Sequence, residues 1–250
     1  MAKPKLQPAP TEAPRFVRDI EARLPGYQFR TFMDVGANIG HFSIPLARAF
    51  PEAKVYAFEP VRTTFETLKA NTAAFPNIEV LNLALGARSR QGSISAVPNS
   101  TINRLTLAEA LGGGSGPAVP AARPTLKQAL APPVQAIEIT TGAEFLAKQG
   151  IGGISCLKID TEGHDYEVVK GFGQRLATVD FVQVEAGMNE YNRTHVALHE
   201  FQSLFDLAGF YLFRIYGEAF EFKKGGRPVS RRCNPLFINR RLVGDMDGIS

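Results

Sequence analysis

Cysteine is scarce in this chain: Cys156 and Cys233 are the only two in 250 residues, and they stand far apart. That excludes a disulfide framework and a Cys-x-x-Cys metal or redox pair, and it makes a reducing cytoplasm the expected setting. Long apolar runs are missing too. No stretch approaches the roughly 18–20 uninterrupted apolar residues that a bilayer span needs, and Met1-Ala-Lys-Pro-Lys5 is not followed by an apolar signal core. A chain without a membrane span and without export is expected. There is little excess of one charge: the net +4 makes no case for nucleic acid as a partner. No internal repeat with a period of about 20–50 residues is visible. What is present is apolar material, 44% of the chain against 21% charged, which is enough for a sizeable core and excludes wholesale disorder, collagen and coiled coil.

At this length one α/β domain fits better than two. Residues 1–14 carry Pro4, Pro8, Pro10 and Pro14 with little to bury, so they are expected to be a disordered tail, leaving 15–250 as a single domain. A second shift in composition opens at Gly112-Gly-Gly-Ser-Gly-Pro117, and the Ala/Pro-rich stretch over 112–133 is expected to be a flexible insertion. Around it strands and helices alternate. Thr31–Val35 is an apolar run ending in Gly36, and Ile39, Phe42, Leu46 and Phe50 mark one helical face that Pro51 stops. Lys54–Phe58 is the next strand, Val61, Phe65 and Leu68 mark the next helix, and Ile78–Ala84 makes a third strand. Beyond the insertion come Ala136–Thr140, a short helix over about 141–148, then Ile154–Ile159 and Phe181–Glu185 as strands. Leu198, Phe201, Phe205 and Ala208 mark a late helix, and Tyr211–Tyr216 with Pro235–Ile238 form a terminal strand pair. The alternation predicts a mostly parallel sheet with helices on both faces.

The sharpest local signal is Asp34-Val-Gly36-Ala37-Asn38-Ile-Gly40, between the first strand and its helix. Glycines there let the backbone approach a ligand, and free N–H groups at the helix start are expected to face the same crevice. Asn38 stands where the dinucleotide fingerprint needs its second glycine, so the pyrophosphate-cradling turn is absent. That weighs against the enzyme alternative, an NAD(P)-dependent oxidoreductase. Glu59 follows at the end of the second strand, and Pro60 holds it extended, which puts a carboxylate where a ribose diol would lie. Together the loop and Glu59 predict a nucleoside ligand.

These motifs, with Asn82-Leu-Ala-Leu-Gly86 and Leu157-Lys-Ile-Asp-Thr-Glu-Gly-His164, resemble the FkbM family of S-adenosylmethionine-dependent methyltransferases over roughly residues 31–239. The first two motifs are shared by many class I methyltransferases; Lys158-Ile-Asp160-x-Glu162-Gly163, followed by Glu167 and Gly171, is more particular to this family. The resemblance implies a Rossmann-like sheet of seven strands, S-adenosylmethionine as cofactor, and methyl transfer to a hydroxyl of a sugar, glycan precursor or secondary metabolite. The 112–133 insertion departs from the family pattern. Asp34, Gly36, Ala37, Asn38, Gly40 and Glu59 are then the expected cofactor contacts.

Asp160 ends a buried strand, Gly163 permits a tight turn, and Glu162, His164 and Asp165 crowd the same edge, where ligands sit in an open α/β sheet. Methyl transfer requires an aligned acceptor oxygen and a group that takes its proton. Asp160 is the expected centre, with His164 as the imidazole candidate or else a helix-start cap. Glu185 ends the next strand and would hold the acceptor or the methionine amine, unless it is simply solvated. Lys158 shares a face with Asp160, which points to an internal ion pair and weighs against an oxygen-rich Mg²⁺ site, so no metal is expected. His195 and His199 are read as an exposed helix face, and Cys156 as a small core hydrophobe. From residue 223 to 241 there are seven cations, Lys223, Lys224, Arg227, Arg231, Arg232, Arg240 and Arg241, and no acid. Lining the acceptor's approach, they would favour an anionic acceptor. The non-enzyme alternative is a methyltransferase-like binding module that has lost catalysis.

Overall fold

The computed structural model describes residues 13–95, 105–106, 134–220 and 229–244. All but the last two residues of the expected tail lie outside them, as do the whole 112–133 insertion and Lys223, Lys224 and Arg227. In chain order the elements are α1 (Arg15–Arg23), β1 (Thr31–Val35), α2 (Ser43–Ala49), β2 (Lys54–Phe58), α3 (Arg62–Thr72), β3 (Ile78–Leu81), β4 (Ala84–Leu85), β5 (Arg90–Ser95), β6 (Leu105–Thr106) and β7 (Val134–Thr140). They continue with α4 (Gly142–Gln149), β8 (Ile154–Ile159), α5 (Asp165–Lys170), β9 (Val179–Gln183), β10 (Ala186–Gly187), α6 (Leu198–Leu207), β11 (Phe210–Phe220) and β12 (Ser230–Asn239).

The main sheet runs β3-β2-β1-β8-β9-β12-β11, with the two-residue β10 paired to the start of β12. From β3 to β9 every pairing is parallel; β12 is antiparallel to β9, and β11 to β12. Alternation along β1 and β8 assigns the two faces. Met33, Val35, Leu157 and Ile159 pack against Phe145 and Leu146 of α4, Val168 and Val169 of α5, and Phe201 and Phe205 of α6. Phe32 and Cys156, of opposite parity, pack against Phe16, Val17 and Ile20 of α1 and Leu46 of α2. Cys156 is buried, as its surroundings in the sequence suggested. Leu68 brings α3 onto that second face beside Ala57 and Val80. Among the described residues no helix is long and apolar enough to cross a membrane.

Three features depart from the sequence expectation. Helix α1 follows directly on the Pro-rich stretch, with Phe16, Val17 and Ile20 as its buried stripe and Pro14 at its start. The third strand splits: β3 ends at Leu81, because the Asn82 amide donates to the Glu59 and Pro60 carbonyls at 2.9 Å each and turns the chain away. Ala84–Leu85 and Val134–Thr140 then belong to a second, four-stranded sheet, β4-β7-β5-β6, with its own core of Val61, Ala84, Ile94, Ile137 and Ile139. That sheet is fastened to the end of β2, where Gln135 donates to the Pro60 carbonyl (2.9 Å) and accepts from the Arg62 N–H (2.9 Å).

The expected helix over 141–148 forms because Thr141 caps it, accepting the Glu144 N–H at 3.1 Å, and Gly150 closes it in the left-handed region at φ 65°. Where α5 ends, backbone meets backbone. A Cβ on Gly171 would stand 2.1 Å from the Gly86 carbonyl oxygen, which explains why the residue at this crossing has no side chain. Gly171→Ala is expected to destabilise the fold by about 1–3 kcal/mol through overpacking. The check is a lowered denaturant midpoint with unchanged slope; an unaltered midpoint contradicts this account of the contact.

Candidate active site

The loop after β1 is strained where the sequence supplies glycine or asparagine: φ is 82° at Gly36, 50° at Asn38 and 97° at Gly40. Gly36 has no alternative, since a Cβ there would lie 2.0 Å from the Asp160 carbonyl oxygen. Four N–H groups of this loop are spent within the protein, ahead of the helix that begins at Ser43. Gly36 and Ala37 both donate to the Phe58 carbonyl (3.0 and 2.9 Å), Gly40 donates to Ala37, and Asn38 donates to Glu59 Oε2 at 3.0 Å. The loop is thus welded to the end of β2, and Glu59 is the product of that weld. Its other oxygen accepts the Val61 N–H at 2.9 Å, and each oxygen keeps a lone pair for a ligand. Burial pushes the Glu59 carboxyl up to about 7, against the lowering effect of the Val61 and Asn38 N–H donors.

Beneath the loop lies a charged core. Asp34 is fully buried, accepts the Ser43 hydroxyl at 2.6 Å, and pairs with Lys158 Nζ at 3.1 Å. The same ammonium reaches Asp160 at 3.4 Å, confirming the ion pair that their shared face implied. Burial alone would lower the Lys158 ammonium, but Asp34 and Asp160 together hold it above its usual value. The next turn is fixed by Asp165, whose buried carboxylate accepts both the Thr161 N–H (2.7 Å) and its hydroxyl (2.8 Å). Burial raises that carboxyl to about 6. Within the turn, Glu162 takes a φ of 55°, and Gly163 passes so close to the Thr194 carbonyl that a Cβ would stand 2.2 Å from it.

These elements enclose a cavity of about 680 Å³. Gly36, Ala37, Asn38, Glu59, Asp160 and His164 all line it. Asp34, Gly40 and Glu185 stand one layer behind the lining. Strand alternation turns Asp34 toward Ser43 and Lys158, while Glu185 is held by Arg232 on one oxygen and lies 2.6 Å from His195 Nε2 on the other. His164 is partly buried, which lowers its imidazole below the usual value and leaves it neutral near pH 7. Among the described residues of the basic segment, Arg232 reaches the cavity wall, beside Gln183 and Asn234. These last two were not picked out from sequence; each was simply a polar residue at the carboxyl edge or in the final strand. Phe42 and Pro45 of the α2 region, Leu83 just before β4, and Ile94 of the second sheet supply apolar wall.

His195 was expected on an exposed helix face. It precedes α6, which begins at Leu198, and is 8% exposed, because the Val196 carbonyl accepts the Gly187 N–H and folds this segment onto β10. One donor atom each of Glu162, Glu185 and His195 lie within 4.8 Å of one another.

A parallel sheet closed by an antiparallel last hairpin, a strained loop after its first strand and a buried carboxylate after its second define the class I methyltransferase fold. Residues 34–213 match the family described as the Methyltransferase FkbM domain. The chain belongs to that family, and S-adenosylmethionine is the cofactor that membership brings with it. It is 29% identical over 163 residues to Methyltransferase sdnD of Sordaria araneosa, covering 60% of this chain and 62% of that one. It is 30% identical over 152 residues to the Hexuronic acid methyltransferase AglP of Haloferax volcanii, covering 61% and 54%. The chain therefore spans less than two thirds of the length of these curated relatives. Among solved structures, M. capricolum TrmK in complex with S-adenosyl-homocysteine aligns with a TM-score of 0.46 at 11% identity, over 91% of this chain and 69% of that one.

Glu59 gives a pH prediction. Its folded value, about 7, lies above the ordinary 4.5, so between them the folded state holds a proton that the unfolded state has lost. Its contribution to stability therefore declines as pH rises from 5 to 8. Urea unfolding over that range is expected to show Glu59→Gln gaining on the parent as pH rises; parallel curves would contradict the buried carboxyl.

Proposed function

We propose that this chain transfers a methyl group from S-adenosylmethionine to a hydroxyl of a small acceptor, a sugar, glycan precursor or secondary metabolite. The observation that carries the reading is one cavity lined by the strained 36–38 loop, the buried Glu59 carboxyl, the His164 imidazole and the Asp160 carboxylate that Lys158 pairs. Its volume lies within the range of small-molecule sites. Glu59 fits a ribose diol, because its oxygens are aimed by backbone N–H groups and retain acceptor capacity. Gly36, Ala37 and Asn38 form the wall against which a nucleoside lies, and Asp34 and Gly40 act from behind by fixing the loop.

When bound, S-adenosylmethionine supplies a methyl group on a sulfonium that leaves readily as the neutral thioether. The protein's part is to align an acceptor oxygen in line with the C–S bond and to take its proton. His164 is the group we assign to that proton, since it faces the cavity unprotonated. Asp160 accepts a hydrogen bond from the acceptor hydroxyl and orients it, while Lys158 fixes the carboxylate. Glu185 does not reach the cavity and serves by holding Arg232 in place.

An anionic acceptor is favoured by Arg232, whose planar guanidinium has donors beyond those used on Glu185. The relative named a hexuronic acid methyltransferase is consistent with a carboxylated sugar.

Titration calorimetry on Glu59→Ala is expected to show S-adenosylmethionine affinity falling by about 5–150-fold, the loss of one or two hydrogen bonds to a buried acceptor. Unchanged affinity removes Glu59 from the site, and tighter binding of NAD than of S-adenosylmethionine overturns the reading. For catalysis, His164→Asn is expected to lose about 10²–10⁴ in turnover with cofactor binding retained, and the acid limb of the parent's pH profile is expected below the ordinary 6.5. A labelled-methyl assay across uronate and neutral sugar acceptors tests both points; full activity of His164→Asn reassigns the proton to Asp160.

A further inference from the structure

We propose that Glu162, Glu185 and His195 form a site for one divalent transition-metal ion, of the Mn²⁺ or Zn²⁺ type, set in the wall of the ligand cavity. The argument begins with Asn192. Its Oδ1 accepts the N–H groups of Thr194 and His195, both at 3.1 Å, and its Nδ2 donates to the Arg231 carbonyl at 2.9 Å. The amide is therefore oriented without ambiguity, and the atom it presents to His195 Nδ1, 3.1 Å away, is an acceptor. Nδ1 must carry the proton. In the neutral ring this leaves Nε2 with a bare lone pair.

That lone pair faces another. His195 Nε2 stands 2.6 Å from Glu185 Oε2, and neither atom has a hydrogen bond among the described residues. Glu185 is 3% exposed and His195 8%, so water does not dilute the contact. Two buried acceptors this close repel unless something positive lies between or beside them. A proton on Nε2 would supply it, and so would a cation that both atoms ligate; the third donor, a Glu162 oxygen within 4.8 Å of both, is what favours the cation. Donors about 2.1 Å from one ion stand roughly 3 Å apart at right angles, so the ion needs the His195–Glu185 pair to open by only tenths of an ångström.

The surroundings are those of a metal site rather than of a chance cluster. The proton on Nδ1 is held by Asn192, the outer-shell contact that fixes the tautomer of a ligating histidine, and Glu185 Oε1 is taken by Arg232, which leaves Oε2 for the ion. Glu162 is held in the left-handed region at φ 55°, a conformation that only a surrounding structure can impose on glutamate. Gly163 locks that turn against the Thr194 carbonyl, one residue before His195. One imidazole and two carboxylates suit a borderline divalent ion, and three protein ligands leave positions open, as in sites where a metal meets a substrate. Glu162 lines the cavity, so the open side faces the acceptor end. The site stands on these residues whatever the acceptor, and S-adenosylmethionine affinity measured on the same protein reports separately on the cofactor reading.

The test uses the full chain, stripped with EDTA and titrated with MnCl₂ by calorimetry and electron paramagnetic resonance, with ZnCl₂ as competitor. One saturable equivalent is expected, displaced by Zn²⁺. Glu162→Gln keeps the fold, since Glu162 is only partly buried, and is expected to weaken Mn²⁺ at least about tenfold while the circular dichroism spectrum is unchanged. In ¹⁵N spectra, Zn²⁺ is expected to shift His195 Nε2 and leave Nδ1 protonated. Absence of saturable binding up to about 1 mM of either metal overturns the proposal. So does metal affinity equal in Glu162→Gln and parent, or a metal-free spectrum in which Nε2 carries a proton shared with Glu185.

Discussion

Lys158 is the constraint on which the site depends. It is the one cation placed between Asp34 and Asp160, carboxylates on adjacent strands, and the pairing of β1 with β8 sets Asp34 directly opposite it. Desolvating an ammonium and a carboxylate is expensive, and the attraction between them offsets this only when the remaining polar valences are filled. Here the Ser43 hydroxyl fills Asp34, and the Phe42 ring lies 5.5 Å from the ammonium. Removing Lys158 would leave two carboxylates, one buried and one on the cavity wall, without the cation between them. The ion pair also fixes distance: with β1 and β8 clamped at their carboxyl ends, the Gly36 backbone rests against the Asp160 carbonyl, and the left-handed loop has only one path.

From that clamp the site spreads in two directions. Toward β2, the loop amides bind the Phe58 carbonyl and Glu59, so the carboxylate assigned to the ribose is aimed by the backbone it helps to hold. Toward β9, the turn after Asp160 is tied by Asp165 to Thr161 and by Gly163 to Thr194, which brings the segment before α6 under the cavity wall. Residues that meet the ligand and residues that hold them thus occupy different layers. Asp34 belongs to the second layer because the pleat of β1 directs it to a face, and Glu185, in the link between β9 and β10, because Arg232 and the His195 segment hold it there.

The parts legible in the sequence were those governed by local pattern. Periodicity in Phe42, Leu46 and Phe50, or in Phe201 and Phe205, marks helices because burial repeats with the turn, and strand-end glycines mark the ligand edge because they adopt its left-handed backbone and close approaches most readily. Lys158 was legible as an ion-pair partner because two residues apart on a strand means one face. What escaped depends on contacts between distant segments. Nothing near Ala84 shows that Asn82 will bind two carbonyls and divert the chain into a second sheet. His195 and His199, four residues apart, have the spacing of a helix face, and only the bridge from Gly187 to the 196–197 segment reveals that the helix begins later. The spent amides of the 36–38 loop were likewise invisible, since their acceptor lies on another strand.

Charge balance connects the two halves of the cavity. Asp34, Asp160 and Lys158 sum to one negative charge, and Glu185 with Arg232 sums to none. Glu162 adds a further negative charge on the lining itself. The rim assigned to methyl transfer is therefore anionic even though the chain as a whole is basic. An anionic rim favours a sulfonium over its neutral thioether product, so the attraction that draws the cofactor in weakens once the methyl, and with it the sulfur's charge, has left. The same surplus is what a divalent ion at Glu162, Glu185 and His195 would neutralise. A carboxylated acceptor would approach that region against a repulsive field, with Arg232 as its partner at the wall; an ion there would cancel the repulsion. The proposed cation and an anionic acceptor are thus linked through Glu162: the first would remove the repulsion that the second would meet, while Arg232 offers the acceptor a partner either way.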